Sequence, residues 1–450
     1  MPLTGTSAKT AFLRNGSGYF AALDHALRSA RRTVWIVGWD FNPDTLLRPE
    51  ESSETLGQLL QSLAEANPDL EVRILIWALG PIYSQKSLRL LLGRNPMRHP
   101  RIFLRFDLQH AIRGCHHQKL VCIDDAIAFI GGMDLTSRRW DSSKHRADDD
   151  HRQDPDGVPY DPIHDVQAMV SGHAAKLIGD VARRRWAEAT DENHEPVGNS
   201  RAIWPAGIEP SLVDCPVRLA LTEPPSRRQR GVSGGVAMTK KVIAEAKRHL
   251  YIETQYLASF GIGQALAARL KEKDGPEIVI VVTHNSHGLI EKIVMGGNRD
   301  RLIGQLKLAD RYDRLRIYYP VVPSSDGERA VLIHSKLLLA DDRLLRIGSS
   351  NLNHRSEGLD TECDILFDAN RPDQRDAIAA LLESLLVEYL GCGTDVVSRS
   401  LAQTGSLIRT MENLNKGSQG LREFEVDMTS TATGPILGTA LVDPLVRPRD

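Results

Sequence analysis

The chain has 450 residues, 41% of them apolar and 25% charged, with a net charge of -2; this length suits two domains of roughly 200 residues, and the composition excludes a disordered or membrane-embedded protein. Acids and bases are interspersed, so no global attraction to a polyanion exists and nucleic acid is not an expected partner. The N-terminal MPLTGTSAKTAFLRNG lacks a basic start and an apolar core, and no stretch approaches the roughly 20 apolar residues of a membrane span.

The expected location is therefore cytoplasmic or peripheral to a membrane, with secretion without a cleaved signal as the alternative. Five cysteines, Cys115, Cys122, Cys215, Cys363 and Cys392, are odd in number and have no CxxC spacing. They read as reduced packing residues, Cys115 included.

The chain repeats itself. Residues 30–39, ARRTVWIVGW, read as a helix end running into a buried strand, and residues 246–255, AKRHLYIETQ, read the same way. An amphipathic helix and two strand-like runs follow in each half, at Leu70–Leu79 and Arg101–Phe106 in the first, and at Glu277–Thr283 and Leu315–Tyr319 in the second. Alternating strands and helices predict an α/β fold with helices packed on a mixed sheet. The basic runs Arg183–Arg185 and Arg227–Arg230 read as solvated faces.

The expected organisation is a first half over 1–190, a linker over 191–225 rich in proline, glycine and acids at its start, a second half over 226–395 and a C-terminal segment over 396–450. That last segment holds a helical stretch near Leu401–Leu414 and then a Ser/Thr/Gly/Pro-rich tail.

Two motifs occupy matching places in the repeat. His117-Gln-Lys119 runs to Asp124 and then to Gly131-Gly132 and Asp134; His334-Ser-Lys336 runs to Asp341 and then to Gly348-Ser349 and Asn351. Each histidine stands 14 residues before its glycine and 17 before the Asp or Asn. In an extended chain, residues two apart share a face, so each histidine and its lysine project together. A histidine and a lysine on one face suit a phosphate.

The small residues Gly132 and Ser349 would let backbone N–H groups approach an anion, and Asn351 is a better phosphate contact than Asp134, whose charge would repel it. Asp124 and Asp341 sit in Asp-Asp turns, where a structural role is at least as good a reading as a chemical one.

No clustered Cys, His and carboxylate set accompanies the motifs, so neither a metal nor any other cofactor is expected. Two ammonium groups can neutralise a phosphodiester and the charge of its transition state. Of two imidazoles, one can attack phosphorus while the other protonates the leaving alcohol. Such histidines need orienting acids, and each half offers one just before a strand-like run, Asp165 and Glu362.

These residues resemble the phospholipase D superfamily over roughly Phe20–Tyr389. The eukaryotic-type version is similar to HHQKLVCIDD at 116–125 with Arg139-Trp140-Asp141, to LYIETQY at 250–256, and to His334-Ser-Lys with Arg355-Ser356 and Asp360-Thr-Glu362. Pro162-Ile-His164-Asp165 departs from that group's Pro-Trp-His-Asp.

The resemblance implies two halves related by a pseudo-twofold over one cleft and a covalent phosphohistidine on His117. His334 would be the acid and then the base, with Glu362 orienting His117 and Asp165 orienting His334. It further implies a phospholipid substrate at a membrane surface, water or an alcohol as acceptor, and an active monomer. A cardiolipin synthase-like phosphatidyltransferase is the nearest alternative. A nuclease of the superfamily is disfavoured by charge and doubled length, and a dead scaffold by the two intact His/Lys pairs.

Overall fold

Aliphatic runs set the strands, and the computed structural model describes residues 3–80, 97–108, 114–198, 204–225, 230–284 and 289–426. The chain begins with β1 (Leu3–Arg14), α1 (Asn15–Arg28), β2 (Thr33–Gly38), α2 (Leu56–Ala66), β3 (Glu71–Trp77) and β4 (Ile102–Asp107). Next come β5 (Leu120–Ile123), β6 (Ile127–Gly131), β7 (Ile163–His164), β8 (Val166–Gly172), α3 (His173–Thr190) and β9 (Leu212–Glu223).

The repeat then opens with β10 (Val232–Ser233), α4 (Gly234–Glu245), β11 (His249–Thr254), α5 (Phe260–Lys271), β12 (Glu277–Val282) and α6 (Leu289–Ala309). It continues through β13 (Leu315–Ser324), β14 (Gly327–Ala330), β15 (Leu332–Ile333), β16 (Lys336–Ala340), β17 (Leu344–Gly348) and β18 (Glu362–Asp368). Helices α7 (Pro372–Leu390), α8 (Thr394–Thr404) and α9 (Leu407–Leu414), with β19 (Gly420–Glu423), close it.

Both passes have the same connectivity. β2, β3 and β4 run parallel, while β5 returns antiparallel beside β2 and continues to β6 and β8. β11, β12 and β13 run parallel, while β16 returns beside β11 and continues to β17 and β18. Between them β1 pairs with β8 and β9, and β9 with β18, so one mixed sheet runs through the molecule.

Period-two alternation explains why helices cover both faces. In β2, Val34 and Ile36 pack with Leu23, Leu27, Leu59 and Leu60 of α1 and α2, whereas Trp35 and Val37 pack with Ile178 and Trp186 of α3. In β11, Leu250 and Ile252 join Leu266 and Leu302, while Tyr251 faces the large cluster shared by both passes. Among the described residues, no single helix is long and apolar enough to cross a membrane.

Two expectations are corrected. Residues 212–223, read as linker, form β9, buried between β1 and β18; its alternating apolar residues, such as Val217 and Leu219, escaped notice because a linker signal precedes them. Arg183 and Arg185 are not solvated: Arg183 is 6% exposed on Asp125, at 2.6 Å, and Arg185 is 4% exposed on Asp107. Their charges are buried because each carboxylate is buried opposite.

Residues 227–229 of the other basic run lie outside the described residues, as does the tail from 427. The helical stretch near Leu401–Leu414 is two helices, broken where Gly405 turns left-handed at φ 60°.

Candidate active site

Each motif approaches its strand in extended form, and β5 begins only at Leu120, where pairing with Val37 starts. His117 is held before that point by the second pass: its N–H donates to the Thr361 carbonyl at 3.1 Å. Its Nδ1 lies 2.9 Å from Glu362 Oε2. Glu362 opens β18, is fully buried, and accepts hydrogen bonds from Ser349 Oγ at 2.5 Å and Ser356 Oγ at 2.7 Å.

His334 is held by the first pass in the same manner. Its N–H donates to the His164 carbonyl at 2.8 Å, and its Nδ1 lies 2.7 Å from Asp165 Oδ2. The other oxygen of Asp165 accepts from the Val166 N–H at 2.8 Å and Gln167 Nε2 at 3.2 Å. Each motif histidine is thus paired with the other half's carboxylate.

The lysines are less alike. Lys119 Nζ is 3.3 Å from Asp134 Oδ2, an ion pair buried to within a few per cent, whereas Lys336 Nζ donates to the neutral Gln255 Oε1 at 3.3 Å. Asp134, read from sequence as a repulsive neighbour of phosphate, is in place the counter-ion of Lys119. Burial, the first cause, pulls Lys336 down from the usual lysine range.

Burial also lowers both His117 and His334 well below 6.5, with Lys119 the next cause for His117 and Lys336 for His334. The four side chains are close enough that Lys336 acts on His117, and Lys119 and His117 act on His334. Burial raises Glu362, followed by repulsion from Asp360, and burial lifts Asp165 to about 6. In each pair, loss of solvent disfavours charge separation.

The three expected phosphate contacts part company. Ser349 is corrected: its N–H donates to the Cys363 carbonyl at 3.1 Å and its hydroxyl to Glu362, so neither is left for an anion. A Cβ on Gly132 would come within 2.9 Å of both Asp165 oxygens and of Lys336 Cδ, so this glycine is where the two passes close on each other. Asn351 is 8% exposed, and its Oδ1 is buried without a hydrogen-bond partner.

Asp124 and Asp341 lie at the far end of the strands and cap the repeat. Asp124 accepts from the N–H groups of Arg31, Arg32 and Thr33 at 2.7 Å each, and Asp341 from those of Lys247, Arg248 and His249 at 3.1, 2.8 and 3.1 Å. Both take positive φ, 53° and 56°, a conformation that aspartate tolerates better than most residues.

Four ionisable residues around the site carry no motif spacing and were given no role from sequence: His145, His164, Glu253 and Glu388. The segments Pro162–Asp165 and Leu250–Tyr256 held two of them in view. Cys115 is buried with its thiol raised well above 9.0 by burial, in keeping with packing.

A mixed sheet built from two like passes, with a histidine and a lysine from each at their seam, defines an internally repeated α/β protein. Residues 239–385 match the family model described as "Cardiolipin synthase, PLD-like domain". Phospholipase D2 of Bos taurus is 26% identical over 79% of this chain and 48% of its own length. Phospholipase D1 of Cricetulus griseus is 35% identical over 30% of this chain and 14% of its own.

The phosphatidylserine synthase of Haemophilus influenzae Rd KW20 shares the fold with TM-score 0.58 at 14% identity, covering 85% of this chain and 87% of that one. The chain is thus similar to phospholipase D superfamily proteins, through the matched model over residues 239–385 and the curated relatives over most of its length. It spans 48%, 31% and 29% of the length of three curated relatives, phospholipase D2 of Bos taurus, phospholipase D A of Dictyostelium discoideum and phospholipase D1 of Saccharomyces cerevisiae.

Proposed function

We propose that the chain is a phospholipase D-type phosphodiesterase that cleaves the headgroup phosphodiester of a glycerophospholipid at a membrane surface. The observation that supports this best is the crossed pairing of His117 with Glu362 at 2.9 Å and of His334 with Asp165 at 2.7 Å. Each carboxylate holds Nδ1, which leaves Nε2 as the ring's reacting atom, so one ring can serve as nucleophile and the other as acid.

In the reading proposed, Lys119 and Lys336 hold the nonbridging phosphate oxygens, with Asn351 as a further contact. His117 Nε2 attacks phosphorus, the N–P bond forms, and the P–O bond to the headgroup breaks as the leaving oxygen takes a proton from His334. Water or an alcohol then attacks phosphorus, gives its proton to His334, and releases His117. The resting rings are held neutral by burial and the lysines. An anionic phosphodiester between them reverses that balance and favours a proton on His334.

A second reading, transfer to a lipid alcohol, is favoured by the cardiolipin synthase description of the matched model. Product mass spectrometry on mixed phospholipid vesicles, with and without a primary alcohol, separates the two. Hydrolysis yields phosphatidic acid, and the added alcohol diverts part of it to phosphatidyl-alcohol. Phosphatidic acid without any diverted product would count against the covalent route, and no lipid product under any condition would reject the substrate class. The assignment of roles has its own test: His334→Ala, given a substrate with a good leaving group, accumulates an acid-labile phosphate on His117. The same adduct on His334 in His117→Ala would reverse the roles.

A further inference from the structure

Beside the Asp165–His334 pair the molecule buries a second cluster of ionisable groups for which the chemistry above has no use. His164 Nδ1 lies 2.6 Å from Glu388 Oε1, and its Nε2 lies 3.0 Å from Glu253 Oε2. His145 Nδ1 lies 2.8 Å from Asp141 Oδ2, and its Nε2 lies 2.9 Å from the same Glu388 oxygen. A neutral imidazole has one N–H and cannot donate to two carboxylates, so each ring satisfies its neighbours only as an imidazolium. Burial opposes that charge, but the flanking carboxylates outweigh it and raise His145 to about 9 and His164 to about 10.

The cluster is tied in on all sides. Arg14 donates to Glu388 Oε2 at 2.8 Å, and Arg152 to Asp141 Oδ1 at 3.0 Å. Glu253 accepts from Tyr251 OH at 2.7 Å, Tyr389 OH at 2.9 Å and Ser335 Oγ at 2.6 Å. Two of these links reach the catalytic strand. Ser335 stands between His334 and Lys336, and His164 both precedes Asp165 and accepts the His334 N–H, within the parallel pairing of β7 with β15. Asn15 adds a third tie, giving its N–H to the Asp165 carbonyl at 2.7 Å and its Nδ2 to Glu388 at 2.9 Å.

We propose that His164 is a positioning residue: by bridging Glu253 and Glu388 it fixes the strand carrying Asp165 against the strand carrying His334 and so sets the hydrogen bond between them. Glu388, from α7, is the anchor of the bridge. The same three residues, His145, His164 and Glu388, have ligand atoms within 4.8 Å of one another and could be taken for a cation site. However, ring-to-carboxylate separations of 2.6 and 2.9 Å leave no room for an ion between direct partners.

The test uses the full chain with ring-15N histidine and the variants His164→Gln and Glu388→Gln, the second keeping the shape of the side chain in case the first folds poorly. The Nδ1 proton that His334 shares with Asp165 gives a downfield resonance, removed by Asp165→Asn and so assigned. Both variants should weaken or abolish it while leaving the corresponding His117 resonance in place. This arm needs no substrate and so stands apart from the proposed reaction.

The kinetic arm rests on that reading. kcat on phosphatidylcholine vesicles should fall about tenfold or more at little change in KM, and much less on a p-nitrophenyl phosphodiester, whose leaving group needs little protonation. An unchanged His334 resonance in both variants would overturn the proposal. So would equal loss on both substrates by correctly folded protein, or a stoichiometric divalent metal in the purified wild type.

Discussion

At the scale of the residue, the His/Lys pairs were legible because an alternating extended chain converts spacing directly into facing, and because the spacing occurs twice. Asp165 and Glu362 were legible as candidates from their matched positions before strands. Ser349 was misread because a small residue after a glycine carries no sign of whether its hydroxyl faces an anion or a neighbouring carboxylate; here it serves Glu362. His145, His164, Glu253 and Glu388 meet only in three dimensions, across 243 residues of chain in the longest case. The lysines carry the sharpest prediction at this scale. Lys119→Ala and Lys336→Ala should each slow the chemical step by about a hundredfold or more, as for loss of a charge aimed at the transition state, measured by single-turnover kinetics on labelled phosphatidylcholine. Lys119→Ala has an added cost, since it strands the buried Asp134; its apparent melting point should fall further than that of Lys336→Ala.

At the scale of the element, the strand-like runs and the α/β class followed from alternating strand and helix signals, whereas the pairing order and the strands β1 and β9, which join the two passes, did not. Both are long strands with exposed stretches, and the Pro210-Ser211 and Pro224-Pro225 pairs that border β9 read as linker. The Asp-Asp turns are a different case, in which sequence left two roles open and geometry separates them. Asp124→Ala and Asp341→Ala each remove three backbone hydrogen bonds at a buried or half-buried strand start. A loss of about 2–3 kcal/mol is expected for either, by analogy with hydrogen bonds to charged groups, read from denaturant midpoints. Turnover per folded molecule should stay within about threefold of wild type, since such caps lie away from the chemistry; a far larger loss in a stable variant would return these residues to the active site.

At the scale of the molecule, charge buried between the two passes ties fold stability to pH. His145 and His164 bind their protons more tightly folded than unfolded, so their contribution is fully present below about pH 6.5 and is lost as pH rises through about 9 to 10. Glu253 and Glu388 are held below the usual carboxylate range by the same contacts, Glu388 well below it, so their contribution is lost as pH falls. Thermal midpoints should therefore drop on both sides of neutrality, and the alkaline fall between about pH 8 and about pH 10.5 should be flatter in Glu388→Gln, which starts lower. An identical alkaline slope in that variant would mean that other groups govern it. The crossed carboxylates have a further consequence for this duplicated molecule. A repeated sequence ordinarily offers a spare, so that one copy can drift while the other keeps the function. Here Glu362 of one copy holds His117 of the other, and Asp165 holds His334, so under the proposed function damage to either copy is damage to both, and the duplication provides no redundancy.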